Sequence, residues 1–294
     1  MIIKMKIMFL LCCLFILASC SSDYGGQNPY EGQSETELDA NHNHLINQQG
    51  NTIQERIKVP QGFERVEVSQ DTFAAYLRNL PLKPHGSKVK LFNGNDKNLD
   101  VHVAVLDIDV GDRDLQQCAD AVIRLRAEYL FGQERYEEIQ FNFTNGFTAY
   151  YSKWMQGKRI AVNGDKAYWY NHTEYSNEYS SFRKYLDMVF AYAGTLSLSE
   201  ELKSIPIEEI QIGDVFLKGG SPGHAVIIVD MAENKSTGEK LFMLAQSNMP
   251  AQDIHIFENL TDKRLSPWFS VNFQGPLITP EWDFEKDQLV RFNE

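Results

Sequence analysis

The chain has 294 residues, 43% of them hydrophobic, and a formal net charge of −12 at pH 7. This length and apolar content are sufficient for a buried core in one domain or two small ones. The acidic balance and the lack of a basic patch argue against nucleic acid as a partner. The sequence contains no internal repeat, no glycine-rich phosphate loop and no metal-ligand spacing such as HExxH or CxxC, so we expect no cofactor.

The N-terminus has the layout of a targeting segment. Lys4 and Lys6 precede an apolar run over residues 7–17, which is short for a membrane-spanning helix. We therefore predict a signal peptide over residues 1–19. The stretch Leu-Ala-Ser-Cys that ends at Cys20 resembles a bacterial lipobox, which implies cleavage before Cys20, lipidation of that residue and a membrane-anchored lipoprotein of the cell envelope. The alternatives are an ordinary signal peptide and an uncleaved anchor.

A polar segment over residues 20–51 follows, rich in Gly, Asn, Gln, Ser and Glu. Its composition predicts a flexible tether with an r.m.s. reach of about 30 Å. His42 and His44 in this segment are interpreted as solvent-exposed rather than as metal ligands. We expect one α+β domain over residues 52–294, with an insertion at about 134–198.

The first elements of this domain are short. The patterns predict a helix over residues 70–80 capped by Ser69, and strands over residues 65–68, 89–92 and 100–109. His102 lies in the last of these strands, and we expect it to face solvent or to make a local hydrogen bond.

The next element is a helix that carries Cys118. Asp114 and Gln117 predict a capping box at its start, and its apolar face comprises Leu115, Cys118, Val122, Leu125 and Tyr129. Cys118 falls in the first turn, where free N–H groups and the helix dipole favour a lowered thiol pKa. The alternative is that Cys118 is a small buried hydrophobic residue.

The cysteine count makes this thiol a candidate nucleophile. Cys12 and Cys13 leave with the signal peptide and Cys20 carries lipid, so Cys118 remains as the free thiol of an exported protein. A lone thiol with a histidine elsewhere in the chain is a typical nucleophile pattern.

Residues 134–170 are rich in aromatic side chains, which could line a groove or belong to the core. We predict a hairpin across Asn163-Gly164 and a helix over residues 182–192. Beyond the central hairpin, strands are expected at 253–257 and 288–292. Two proline-aromatic segments, at 266–269 and 280–282, are expected to pack across the sheet.

The central hairpin comprises strands at 215–218, from His224 to Val229, and at 241–246. A register with Asp230 opposite Lys240 places His224 opposite Gln246, with Cβ atoms about 4.5–5.5 Å apart. An imidazole held by a neutral amide is half of a catalytic constellation. Asp230 as a rival partner for His224 is rejected, because it lies roughly 20 Å away along the strand.

The order of these features resembles the papain-like superfamily. A helix begins near Cys118, Gly213-Asp214 introduces a strand, Gly223-His224 precedes an apolar strand, and Gln246 ends the next strand. The bacterial cell-wall peptidases of the NlpC type and their CHAP-type amidase relatives are most similar. The resemblance implies an α+β fold with an antiparallel sheet packed against the Cys-bearing helix, that is, a papain-like core with an insertion.

The resemblance also implies the roles of three residues. Cys118 is the nucleophile that attacks an amide or ester carbonyl, His224 its general base and acid, and Gln246 the residue that orients the imidazole. The substrate class implied is a cell-wall peptide, or another amide. The sequence departs from the family around the nucleophile, where Gln-Cys-Ala-Asp stands in place of the usual Asp-Cys-Ser-Gly.

The whole chain also resembles a family of Bacteroidota lipoproteins that share the stretches QCADAVIRLRAEYL, GDVFLKGGSPGHAVIIVD and LAQSNMPAQD. That second resemblance implies no activity. Two other functions therefore stay open: a non-catalytic papain-like module that binds glycan or peptide through the aromatic segment, and a structural component of the envelope.

Overall fold

An antiparallel sheet of nine strands organises the chain in a computed structural model that describes residues 45–293. The strands of this sheet are β1 (Glu64–Arg65), β2 (His102–Val105), β7 (Lys203–Ser204), β8 (Val215–Lys218), β9 (His224–Glu233), β10 (Lys240–Gln246), β11 (His255–Phe257), β12 (Trp268–Ser270) and β15 (Leu289–Arg291). Their main order is β2-β11-β10-β9-β8-β15-β7, while β1 pairs with β9 and β12 with β10.

Three small hairpins lie outside this sheet. They pair β3 (Gln140–Asn142) with β4 (Thr148–Tyr150), β5 (Lys158–Asn163) with β6 (Lys166–Asn171), and β13 (Leu277–Ile278) with β14 (Asp283–Phe284). The β5–β6 pair confirms the hairpin predicted across Asn163-Gly164. The helices are α1 (Ile53–Arg56), α2 (Phe73–Arg78), α3 (Cys118–Gly132), α4 (Tyr151–Met155), α5 (Tyr179–Phe190) and α6 (Thr195–Glu201).

Alternation along β9 divides the core between the two faces of the sheet. Ala225 and Ile227 share a hydrophobic cluster with the apolar side of α3, whereas Val226 and Ile228 belong to a second cluster on the opposite face. This follows from the two-residue period of a strand, which sends successive side chains to opposite faces. The prediction of an α+β fold with an antiparallel sheet packed against the Cys-bearing helix is therefore confirmed.

The start of α3 differs in detail from the prediction. Gln117, not Asp114, precedes the helix, and its backbone N–H donates to the Asp120 carboxylate at 3.0 Å. Asp114 does contact Gln117, because its Oδ1 accepts from Nε2 of Gln117 at 3.1 Å. The same oxygen accepts from the backbone N–H of Ala251 at 2.7 Å, so its side chain joins the helix start to the segment after β10. Cys118 is the first helical residue, as expected from its place in the first turn.

The predicted register of the central hairpin is wrong. Lys240 pairs with Glu233 rather than with Asp230, and a bulge then shifts the pairing by one residue, leaving Val229 without an opposite residue. A one-residue shift moves the following side chains to the other face of the sheet. Beyond the bulge Leu244 pairs with Ile228. Continued to the strand end, this register makes Gln246 a diagonal neighbour of His224 on the same face.

Other boundaries are also shorter or earlier than predicted. The helix expected over 70–80 is α2, and Thr72 rather than Ser69 accepts at its N-terminus, from Ala75 N–H at 3.2 Å. The segment at 89–92 makes isolated bridges rather than a strand. Leu45, at the start of the described residues, is buried. The predicted signal peptide, Cys20, His42 and His44 lie outside the described residues.

Candidate functional site

The side chains of His224 and Gln246 meet at one end of the sheet. His224 is the first residue of β9 and Gln246 the last of β10, and they are 2% and 1% exposed. The Nε2 atom of His224 lies 2.7 Å from Oε1 of Gln246. An amide oxygen only accepts, so Nε2 carries the proton in this bond and Nδ1 is left as the basic nitrogen of a neutral ring.

A carboxylate behind Gln246 determines which way its amide faces. The Nε2 group of Gln246 donates to Oε2 of Glu281, and the same oxygen accepts from Nζ of Lys97. Oε1 of Glu281 accepts from Asn248 at 3.2 Å. Because a carboxylate only accepts, the amide group of Gln246 turns its N–H side to Glu281 and its oxygen to His224.

A second histidine completes this polar cluster, defined here as His224, Gln246, His255, Glu281 and Lys97. His255 is fully buried, and its Nδ1 donates to the Asp253 carbonyl at 2.9 Å. Its Nε2 therefore accepts, at 3.4 Å from Nζ of Lys97 and 3.5 Å from Nε2 of Gln246. Every member of the cluster has a hydrogen-bond partner.

Burial and the charged pair act on the pKa values in this cluster. Burial lowers the pKa of His224, and the Gln246 hydrogen bond and the charge of Glu281 offset part of that effect. Burial likewise lowers the pKa of His255. The pKa of Glu281 falls to about 2: burial opposes ionisation, but the hydrogen bond and the positive charge of Lys97 outweigh it. At neutral pH both imidazoles are therefore neutral and Glu281 is ionised.

Aromatic rings cover the imidazole of His224. The ring centroid of Trp282 lies 5.5 Å away with an interplanar angle of 28°, and that of Phe284 lies 6.1 Å away. Phe284 belongs to the hydrophobic cluster on the face of the sheet opposite α3, and Trp282 packs against that cluster. The segment at 280–282 thus supplies both the carboxylate that holds Gln246 and the ring that shields His224 from water.

Cys118 lies beside the backbone of the strand that carries His224. The backbone N–H groups of Ala119, of Ala225 and of Cys118 itself lie close enough to the sulfur to favour its ionised form, and the residue is 9% exposed. The structure therefore brings His224 and Gln246 into contact and places Cys118 at the neighbouring backbone. Among residues 45–293, no hydrogen bond joins the sulfur to the imidazole, whose ring lies among side chains of the other face.

The expectation of a lowered thiol pKa is wrong. Burial raises the pKa of Cys118 above its usual range, and the nearby Asp120 carboxyl raises it further. The N–H groups at the helix start act in the opposite direction, but they do not compensate for the loss of water. Cys118 is therefore a neutral thiol at neutral pH.

Asp120 is an ionisable neighbour that the sequence did not single out. It is 5% exposed, and burial raises its pKa to about 8. Its Oδ2 accepts from Gln117 N–H, while Oδ1 has no hydrogen-bond partner. Asp120 is therefore mostly protonated at neutral pH, so that it and the adjacent Cys118 thiol are both neutral in this buried site.

Asp230, rejected as a partner of His224, has a different role. It is fully buried and accepts from Nε of Arg65 and from Nε of Arg78, both at 2.7 Å. Its Oδ1 also accepts from Met231 N–H at 2.9 Å. Asp230 therefore joins β9 to β1 and α2, at the bulge.

The turn before His224 has no space for a side chain. A Cβ atom on Gly223 would lie 2.4 Å from Oγ1 of Thr195, 2.5 Å from the Gly220 carbonyl and 2.7 Å from the Lys218 carbonyl. We expect Gly223→Ala to destabilise the protein by about 1–3 kcal/mol, as overpacking does, and to displace His224. Urea unfolding measures the change. Gly132→Ala is the control, because a Cβ there meets nothing within 4 Å; an equal effect of both variants would contradict the argument.

The fold and the cluster define an α+β protein with a buried imidazole–amide pair near a helix-borne thiol. The chain belongs to the family described as Domain of unknown function (4846), DUF4846, which it matches over residues 53–291. No curated protein and no solved structure matches it. None of the helices between residues 45 and 293 has the length and apolar character needed to cross a bilayer.

Three members of the cluster were missed by the sequence interpretation: Glu281, Lys97 and His255. One signal was present for Glu281, a charged residue between Pro280 and Trp282 in a segment expected to pack on the sheet. A carboxylate that is carried into a core in this way needs a cation or hydrogen-bond donors. For Lys97 and His255 the sequence holds no comparable signal.

Proposed function

We propose that the protein is a lipid-anchored thiol hydrolase of the cell envelope, a papain-like peptidase or amidase that cleaves an amide bond of a cell-wall peptide. The observation that carries the proposal is the buried hydrogen bond from His224 to Gln246, which leaves Nδ1 of the ring as a base on the strand whose backbone lies beside Cys118. The arrangement of a helix-borne thiol, an imidazole and an amide supports the papain-like assignment.

The chemistry starts from a neutral pair. On binding of substrate, Nδ1 of His224 takes the proton of the Cys118 thiol, and the thiolate attacks the amide carbonyl carbon. The C–N bond breaks, the imidazolium protonates the departing amine, and a thioester remains on Cys118. Water then attacks the thioester with His224 as the base, which releases the acid and restores the thiol. The backbone N–H of Cys118 stabilises the oxyanion.

The proposal requires the imidazole and the sulfur to approach each other when substrate binds. Catalytic hydrogen bonds are often long in the free enzyme and tighten only in the complex. The raised pKa of Cys118 makes this approach necessary, because the thiol does not ionise by itself near neutral pH.

Trapping of an acyl-enzyme tests the proposal directly. The full chain in detergent is incubated with p-nitrophenyl acetate, release of p-nitrophenolate is followed, and the acetyl group is located by peptide mass spectrometry. We expect the acetyl group on Cys118 and no rapid release with Cys118→Ser. Release that is the same in both proteins would overturn the proposal.

A second candidate function is a non-catalytic module that binds a cell-wall glycan or peptide. The raised thiol pKa and the aromatic cover over His224 favour it. If this function is correct, we expect the full chain to bind purified peptidoglycan and Cys118→Ser to bind equally well. We also expect no acylation of Cys118. A protein that neither binds peptidoglycan nor becomes acylated would instead fit a structural component of the envelope.

The anchor is tested separately. Cys20→Ala removes the residue that the lipobox resemblance marks for lipidation, and we expect the variant to leave the membrane fraction or to keep its signal peptide. Fractionation and electrophoretic mobility measure this, and Cys12→Ala in the predicted signal peptide is the matched control. A Cys20→Ala protein that behaves as wild type would contradict the lipoprotein assignment.

A further inference from the structure

We propose that Glu281 is a positioning residue of the Cys118 site, which acts by holding the Gln246 amide so that His224 keeps its proton on Nε2 and presents Nδ1 as the base. The inference deepens the proposed function and rests on it. It assigns a role to the segment at 280–282, to which the family resemblance assigns none.

The orientation of the Gln246 amide determines which ring nitrogen of His224 carries the proton. A glutamine amide can offer either its oxygen or its N–H₂ group to a neighbouring imidazole, and the two choices select opposite ring tautomers. If the Gln246 amide presents its oxygen to His224, its N–H₂ group faces the other way and needs an acceptor there. Glu281 is that acceptor, because a carboxylate cannot donate. A reversed amide would set its oxygen against Oε2 of Glu281.

The other contacts of the carboxylate make its position stable. Lys97, whose side chain is 9% exposed, donates to Oε2, and Asn248 donates to Oε1 at 3.2 Å. Lys97 also approaches His255 at 3.4 Å, and that ring is anchored through Nδ1 to the Asp253 carbonyl. Glu281 is thus held by donors from two separate segments of the chain, Lys97 on one and Asn248 with Gln246 on the other, and these contacts fix the orientation of its carboxylate.

The negative charge of Glu281 also stabilises the protonated form of His224. During the reaction His224 becomes an imidazolium in a buried site, which costs free energy unless a negative charge lies nearby. Glu281 favours the protonated ring, while Lys97 and His255 disfavour it. Removing the charge of Glu281 while Lys97 remains would leave a net positive field at His224, so proton transfer from the thiol would become harder.

Glu281→Gln is the test, and Glu285→Gln on the same segment is the matched control. Glu285 is exposed, and its backbone N–H donates to Oε1 of Gln288, which is outside the cluster. Two readouts are used on the full chain in detergent: the ring ¹⁵N shifts of His224 after selective histidine labelling, assigned with His224→Ala, and the rate of Cys118 acylation. In Glu281→Gln we expect loss of the single Nε2–H tautomer and acylation slowed about 10- to 100-fold, the range seen when groups behind a metal-bound imidazole are removed.

The outcomes separate this inference from the proposed function. A wild-type His224 protonated on Nδ1, or a Glu281→Gln protein with the tautomer and rate of Glu285→Gln, would overturn the inference and leave the hydrolase proposal intact. A wild-type protein that is not acylated would refute the hydrolase, and the tautomer comparison would still decide the role of Glu281. Glu281→Asp keeps the charge, and we expect it to keep the Nε2–H tautomer; if Glu281→Gln does not fold, this variant and the wild-type tautomer decide the question.

Discussion

His224→Ala should slow acylation of Cys118 about 10²- to 10⁴-fold at pH 7, the contribution of a positioned general base. The physical reason is the direction of two pKa values. Burial raises the pKa of the Cys118 thiol, so almost no thiolate forms without a base, and burial lowers the pKa of His224, so the ring is neutral and able to accept the proton.

The raised pKa of Cys118 and the lowered pKa of His224 also determine the expected pH dependence of acylation. In the wild type the rate depends on neutral His224, so it is lost only as the pH falls below the ordinary imidazole value of about 6.5 and stays level through neutral pH. In His224→Ala the rate depends on free thiolate, so it rises about tenfold per pH unit through the neutral range towards the raised thiol pKa.

The measurement is the rate of p-nitrophenolate release against pH for the two proteins. His172→Ala is the control, because His172 is exposed and lies beside Tyr170 on the β5–β6 hairpin. A wild-type profile that rises in the same way as that of His224→Ala would show that His224 is not the base. The non-catalytic binding function would then be the better account.

Asp230→Ala should give the largest loss of stability among single substitutions in β9, about 3–5 kcal/mol. Asp230 is fully buried and receives Nε of both Arg65 and Arg78 at 2.7 Å. Its removal leaves two guanidinium groups without their shared anion, and Arg78, whose side chain is 7% exposed, cannot recover water.

Urea unfolding measures this loss as a lower midpoint with an unchanged slope. Asp96→Ala is the control, because the Asp96–Lys90 pair is about half exposed on both sides and such pairs contribute about 0–1 kcal/mol. Equal effects of the two variants would contradict the buried-anion argument. In folded Asp230→Asn protein, we expect Cys118 to be acylated at the wild-type rate. The reason is that Asp230 lies at the bulge and not at the His224 end of β9.

Local patterns in the sequence determined the elements that carry the candidate site. Strand β8 has the predicted bounds, β10 begins one residue before its predicted start, and Cys118 falls in the first turn of its helix. Turn residues and the two-residue strand period act over a few residues, so the sequence contains them directly.

Tertiary structure alone decided how these elements pair. The predicted register brought His224 opposite Gln246, whereas the observed pairing begins with Lys240 opposite Glu233 and reaches the same contact through a bulge at Val229. The bulge lies where Asp230 turns to Arg65 and Arg78, residues from distant parts of the chain. Nothing in the hairpin sequence specifies those partners, because their positions depend on how other segments pack on the sheet.

The protonation states of the site were also decided by tertiary structure. The helix start by itself predicts a more acidic Cys118, but burial under the sheet reverses the direction of the pKa shift. The polar cluster is drawn from loops and strands far apart in the chain, with Lys97 and Glu281 meeting across the end of the sheet. The sequence determined which groups could react, and desolvation and long-range partners, which exist only in the folded chain, determined the charges they carry.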